Sequence, residues 1–179
     1  EQMYEKIVSN HDVEPEEAKK TAQTVALAAI KYGDLSNQAS KDYIFDVDRF
    51  TSFEGDTGPY ILYTIVRIKS ILAKYAATGK NADNAKLQKA DSDAEKELML
   101  SLSGFNAMME NAWTEMAPHK VCAYIYDLAN AFNHFYHATN IMQEEDDAKQ
   151  AGYIALLRLT KEILEVCIDV LGFSAPDRM

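Results

Sequence analysis

His134 and His137 stand three positions apart in the stretch YIYDLANAFNHFYHA (124–138), a spacing that puts two imidazoles on neighbouring positions of one helix. Two imidazoles suit a metal, but no third ligand stands at a matching spacing, so the pair reads as two partly exposed helix histidines. Glu115 and His119 straddle Pro118 and carry no stronger signal. Cys122 and Cys167 are too few for a disulfide framework and lie in apolar helical stretches, where buried free thiols are the plain reading. The chain has no Gly-rich phosphate loop, no CxxC pair, no HExxH and no nucleophile elbow. The Glu-x-x-His pairs of a di-iron bundle are missing too. No catalytic and no metal-binding residue is therefore assigned. Tyr63 and Arg67 are four apart, so a helix places them side by side, clear of Ile61, Ile65 and Ile68. On pattern alone Tyr63 and Tyr136 read as core tyrosines with satisfied hydroxyls, and Arg67 fits a structural ion pair as well as a ligand contact.

The elements that must hold these residues are helical. Apolar residues recur at helical spacing almost throughout. Pro15, followed by Glu16 and Glu17, opens a helix that runs to about Gly33, with the acids at the positive end of its dipole. Residues 43–53 (YIFDVDRFTSF) alternate apolar and polar and predict a short extended segment packed on helices. Glu54-Gly55-Asp56-Thr57-Gly58-Pro59 is the strongest breaker cluster and the expected boundary between two units, 1–56 and 57–179. A helix follows over about 60–75. The polar stretch 78–93 predicts a mobile loop, and another helix is expected over 94–112. Pro118 opens a helix whose stripe is Val121, Ile125, Leu128, Phe132 and Phe135. The last helix, about 147–171, shows Leu156, Leu159, Ile163, Val166 and Val170, with Gly172 at the position of a left-handed cap. Long amphipathic helices with short polar connections make an all-α bundle.

The bulk numbers set limits. At 179 residues the chain can bury roughly 70% of its unfolded surface, enough for one good core or two small ones. No apolar run approaches the roughly 20 residues of a membrane span, and Glu1-Gln2-Met3-Tyr4 opens no signal peptide, so a cytoplasmic, reducing compartment is expected. The net charge of −10 argues against a general affinity for phosphate. Its distribution tempers that objection: residues 60–90 hold Arg67, Lys69, Lys74, Lys80, Lys86 and Lys89 against the single acid Asp83. Such a strip is compatible with RNA, and equally with solvated helix faces.

Four segments in order decide between these. FEGDTGPYILYTIVRIKSIL (53–72) resembles the G-[ND]-T-G-P-Y-x-x-Y-x-x-x-R-I signature of arginyl-tRNA synthetases, and YIYDLANAFNHFYHA resembles the aromatic-rich helix of their all-helical anticodon-binding domain. LGFSAPDRM (171–179) is similar to that family's Pro-x-Arg-Met ending, and AAIKYGDLSN (28–37) is more weakly similar to the end of its catalytic half. The resemblance covers essentially the whole chain. It implies a helical bundle of the class I synthetase anticodon-binding type, the DALR type, with 1–56 the tail of the catalytic region and 57–179 the anticodon-binding domain. The HIGH and KMSKS type motifs that handle ATP do not occur. The resemblance thus implies an excised C-terminal piece that binds the anticodon loop of an arginine tRNA without catalysing. ATP, magnesium and L-arginine would belong to the catalytic domain of a monomeric parent ligase, and no cofactor to this piece.

Carried over position by position, the resemblance implies that Tyr63, Arg67, Tyr136 and Met179 contact the anticodon loop. Single-stranded loops are read by splaying bases onto aromatic or guanidinium planes and hydrogen-bonding their edges. Arginine anticodons share a central C, the natural target. Two positions depart from the commonest pattern: Leu62 stands where many members carry Gln, at the expected expense of a polar contact near the RNA backbone, and Thr64 where many carry Ala. The rival reading is a helical protein-interaction module without RNA binding, drawn from the acidic balance and broad apolar stripes. A metal-bearing bundle enzyme is the third.

Overall fold

The computed structural model describes residues 3–5 and 14–179, all of it helix and connection with no strand among the described residues. The reading of the extreme N-terminus falls partly on residues outside these. Helix α1 (Pro15–Leu35) starts at Pro15 and buries Ala18, Ala22, Val25, Ala29 and Tyr32 along one stripe. The small residues on that stripe let a neighbouring backbone come close. It does so at Gly58, where an added Cβ would overlap the Ala28 carbonyl.

The segment expected to be extended turns helical after four residues. Asp46 accepts a hydrogen bond from the Arg49 N–H at 3.1 Å and caps the short helix α2 (Val47–Phe50), a local bond that outweighs the two-residue alternation of its sequence. Phe50 drops into the space left by Gly33, with Phe45 edge-on at 5.1 Å.

Thr57 caps the next helix, α3 (Gly58–Ala77). Its hydroxyl accepts from the Tyr60 N–H at 3.2 Å and donates to the Ser52 carbonyl at 2.6 Å. Gly58 and Pro59 fill the first turn, where a missing N–H costs nothing. Ile61, Leu62, Ile65 and Ile68 are fully buried, so Leu62 faces the core; the polar contact with RNA thought lost there is not one this position makes. Thr64 is buried as well, its hydroxyl donating to the Tyr60 carbonyl at 3.0 Å.

Residues 78–92 are non-helical as expected, yet they are tied to the last helix. The Ala82 carbonyl accepts from Arg158 at 3.0 Å, Asp83 pairs with Arg158 at 3.0 Å, and Lys80 pairs with Asp147 at 2.6 Å. Buried Ala82 anchors the middle. The single helix expected over 94–112 is two, α4 (Asp93–Ser103) and α5 (Phe105–Thr114), interrupted at Gly104. Met116 then takes a left-handed φ of 49°, and the Ala117 N–H reaches back to the Ala112 carbonyl at 2.9 Å, closing α5.

Helix α6 (Pro118–Ala138) is the centre of the bundle, touching α1, α3, α4, α5 and α7 (Asp147–Val170). Its expected stripe is buried throughout, with Ile125, Leu128, Phe132 and Phe135 fully so. The stripe of α7 is rotated from the expected one. Leu156 is buried, but Val166 and Val170 are exposed, and Leu157, Thr160, Leu164, Cys167 and Ile168 complete the inner face. Gly172 has φ 82°, and the Phe173 N–H bonds the Ile168 carbonyl at 3.0 Å, so the chain leaves α7 through a left-handed cap. The Tyr32 hydroxyl lies against Asp56 and 3.0 Å from the Cys122 carbonyl, which pins α1, the 54–59 turn and α6 together. Burial and the facing Asp56 carboxylate push that phenol far above its ordinary value.

Candidate nucleic-acid interface

Tyr63 and Arg67 project from one face of α3, opposite its isoleucine stripe, because four residues make just over one turn. Tyr136 comes from the last turn of α6. Tyr60 lies against Tyr126, Asn130 and Asn133, and Arg67 against Asn133 and Tyr136, so the contacts advance together along α3 and α6. The two helices therefore run in the same direction here and deliver their side chains to one place.

The place is a cation between two rings. The Arg67 guanidinium carbon is 4.7 Å from the Tyr63 ring centroid and 5.2 Å from that of Tyr136. Both rings stay partly in solvent, at 40% and 36% exposure, while Phe132 supports Tyr136 from below at 6.0 Å and His137 meets its edge at 5.4 Å. Among the described residues no carboxylate comes within ion-pair distance of Arg67, so the structural ion-pair reading does not hold; its partner is the neutral amide of Asn133, at 2.7 Å. A full positive charge flanked by two aromatic rings at the surface can stack on a base, pair with its edge or hold a phosphate.

The other expected contact stands apart. Met179 is half-buried against the core, and no hydrogen bond, ion pair or ring contact among the described residues links it to the other three. The tail that carries it is held by Lys69, which donates to the Pro176 carbonyl at 3.2 Å and pairs with Asp177 at 3.3 Å and Glu165 at 3.5 Å. Lys69 is two residues from Arg67, so α3 organises both the ring cluster and the C-terminal tail.

Sequence reasoning passed over Tyr60, Asn130 and Asn133. The Asn133 amide donates to the Tyr60 hydroxyl at 2.8 Å, and that hydroxyl donates to Asn130 at 2.7 Å. An asparagine at helical spacing carries no signal of its own; its partner lies 66 residues away on another helix. The histidines do not converge: His134 Nδ1 sits 2.7 Å from Glu97, and His137 lies against Tyr136. Glu115 pairs with Lys120 at 2.6 Å. Among the described residues no group of three His, Cys, Asp or Glu could hold a metal ion.

Residues 61–179, which include α6, most of α3 and the tail, match the family described as the DALR anticodon binding domain. The chain belongs to that family. The DALR match begins three residues after Gly58, inside α3. Beyond the DALR segment, similarity runs over nearly the whole chain: 66% identity over 172 residues to the arginine–tRNA ligase of Agathobacter rectalis, covering 95% of this chain and 29% of that protein. The arginine–tRNA ligase of Alkaliphilus oremlandii is 51% identical over 177 residues, covering 99% of this chain and 30% of the relative. The fold is that of the corresponding part of Thermus thermophilus arginyl-tRNA synthetase, with a TM-score of 0.82 at 28% identity over 99% of this chain and 30% of that one. The chain thus spans about 30% of the length of these three relatives. Among the described residues no helix is long and apolar enough to cross a membrane.

Proposed function

We propose that this DALR domain reads the anticodon loop of an arginine tRNA as part of an arginine–tRNA ligase. The observation that carries the reading is the exposed Tyr63–Arg67–Tyr136 cluster, in which a guanidinium with no carboxylate partner among the described residues lies beside two rings on helices matched to an anticodon-binding family. Tyr63 and Tyr136 stack loop bases, Arg67 pairs with the central C or its phosphate, and Met179, apart from these three, contacts the loop from the C-terminal tail. The open ring surface and the single positive charge are what a splayed base and its backbone require.

In this reading residues 57–179 form the anticodon-binding domain, and 1–56 are the tail of a catalytic region that shares its core through α1. Ala18, Ala22, Val25, Ala28 and Tyr32 belong to the same buried cluster as Ile61, Ile65 and Phe132, which supports a fixed rather than a hinged junction. ATP, magnesium and L-arginine bind a part of the ligase outside these residues. The ligase works as a monomer in the cytoplasm and joins arginine to its tRNA at the expense of ATP. Within the residues here, the work is to recognise and hold the loop.

The test is a titration followed by fluorescence anisotropy. An arginine tRNA transcript is compared with the same transcript carrying G in place of the central anticodon C. A preference for the C transcript, in a chain that melts cooperatively, supports anticodon reading. Equal binding of the two transcripts excludes it.

A further inference from the structure

Arg67 offers five N–H donors and no acceptor, so whichever atom faces it must accept. That fixes the Asn133 amide: Oδ1 takes the Arg67 proton at 2.7 Å, and Nδ2 is left to donate to the Tyr60 hydroxyl at 2.8 Å. The hydroxyl passes its own proton to Asn130 Oδ1 at 2.7 Å. A flipped Asn133 would set an NH2 group against the guanidinium, so the relay has one arrangement. The Tyr63 and Tyr136 ring centroids lie 4.7 and 5.2 Å from the guanidinium carbon, and Asn133 takes one of its donors. Turning the guanidinium away from Asn133 breaks that hydrogen bond.

We infer that Asn133 is a positioning residue for base specificity: by taking the NH1 donor it decides which edge of Arg67 faces outward. The inference rests on the reading of the ring cluster as the anticodon contact. The outward edge carries donors only. The pairing edge of cytosine sets two acceptors, O2 and N3, side by side, and a guanidinium edge can satisfy both at once. The pairing edge of guanine sets two donors, N1–H and N2–H, beside a single acceptor, so a fixed donor edge meets donors. A guanidinium free to turn could instead serve a phosphate, and the discrimination would fade. Affinity comes from the rings and the charge; selectivity comes from holding that edge still.

The experiment uses the same C and G transcripts with the 179-residue chain and three variants. The unaltered chain is expected to prefer the C transcript by about tenfold. Asn133→Leu removes the acceptor and should bring the two transcripts to within about twofold of each other while the thermal melt stays cooperative. Asn133→Asp keeps an acceptor for Arg67 and should restore the preference, although its added charge weakens both transcripts together. Asn133→Leu retaining the full preference overturns the role of Asn133 and leaves the anticodon reading standing. Should Asn133→Leu fail to fold, Tyr60→Phe decides, because it deletes only the hydroxyl that orients the amide: a preference reduced several-fold supports the relay, and an unchanged one overturns it. An unaltered chain with no preference overturns the anticodon reading itself, and the positioning role falls with it.

Discussion

Arg67 is held between Tyr63 of its own helix and Tyr136 of α6, at 4.7 and 5.2 Å from the two ring centroids. The arrangement separates two roles that a basic patch would mix. The charge is local and has no acidic partner among the described residues, whereas the neighbouring Lys69 is neutralised by Glu165 and Asp177. A chain of net charge −10 can bind RNA this way only if ring stacking supplies much of the affinity.

Tyr136→Ala is therefore expected to weaken tRNA binding by about 1–3 kcal/mol, the usual worth of one base stack. Because the ring is 36% exposed and Phe132 beneath it is fully buried, the melting temperature should move little. Arg67→Lys keeps the charge but loses the planar stack, so affinity should fall while the dependence on salt stays the same. Anisotropy titrations at several salt concentrations measure both. An Arg67→Lys variant with undiminished affinity would show that the plane of the guanidinium plays no part.

Lys74 offers a contrast. It stands seven residues beyond Arg67, on the same face of α3, exposed and in no ion pair among the described residues. Lys74→Gln should flatten the slope of log affinity against log salt by about 0.7, one single-strand phosphate contact, and leave the choice between C and G transcripts untouched. A slope identical to that of the unaltered chain would place the RNA backbone elsewhere.

The comparison of sequence with structure follows the range of the interactions. Tyr63 beside Arg67, the α6 stripe and the cap at Gly172 are local consequences of helical geometry, and all were legible. Helix α2 was not, because the pleat-like alternation of YIFDVDRF concealed the Asp46 cap. The inner face of α7 was misjudged by a fraction of a turn: Thr160 and Gly152 are polar or featureless in sequence yet buried, while exposed Val166 and Val170 looked like core. Asn133 was invisible for a different reason. Periodicity tells which residues share a face, never which helix that face will meet.

Gly58 tests the junction between α1 and α3. Its backbone lies so close to α1 that a Cβ would overlap the Ala28 carbonyl, and that atom cannot swing aside as a side chain could. Gly58→Ala should cost about 1–3 kcal/mol of stability, seen as a lower urea midpoint at an unchanged slope. Gly104→Ala is the control, since its Cβ would meet only the Ser101 carbonyl at 3.4 Å. Equal midpoints for the two variants would mean that α1 and α3 can separate without loss.

Alkaline conditions should reveal the buried thiols. Burial raises Cys122, with Asp56 adding to the effect, from about 9 up to about 12, and burial alone does the same for Cys167. Below pH 9 both thiols keep their protons whether the chain is folded or not, and they contribute nothing to the pH dependence. Between 9 and 12 the unfolded chain releases protons that the folded chain retains, so stability falls as pH rises through that window. Tyr124, also pushed up to about 12, and Tyr32 act in the same direction, so replacing the cysteines should reduce the loss rather than abolish it. Urea midpoints of the unaltered chain and of a Cys122→Ala/Cys167→Ala variant, taken on either side of pH 9, measure the difference. The variant starts less stable because both sites are packed, but its midpoint should decline less steeply with pH. Parallel declines would mean that the thiols ionise as readily in the folded chain as in the unfolded one, and that water reaches the centre of the bundle.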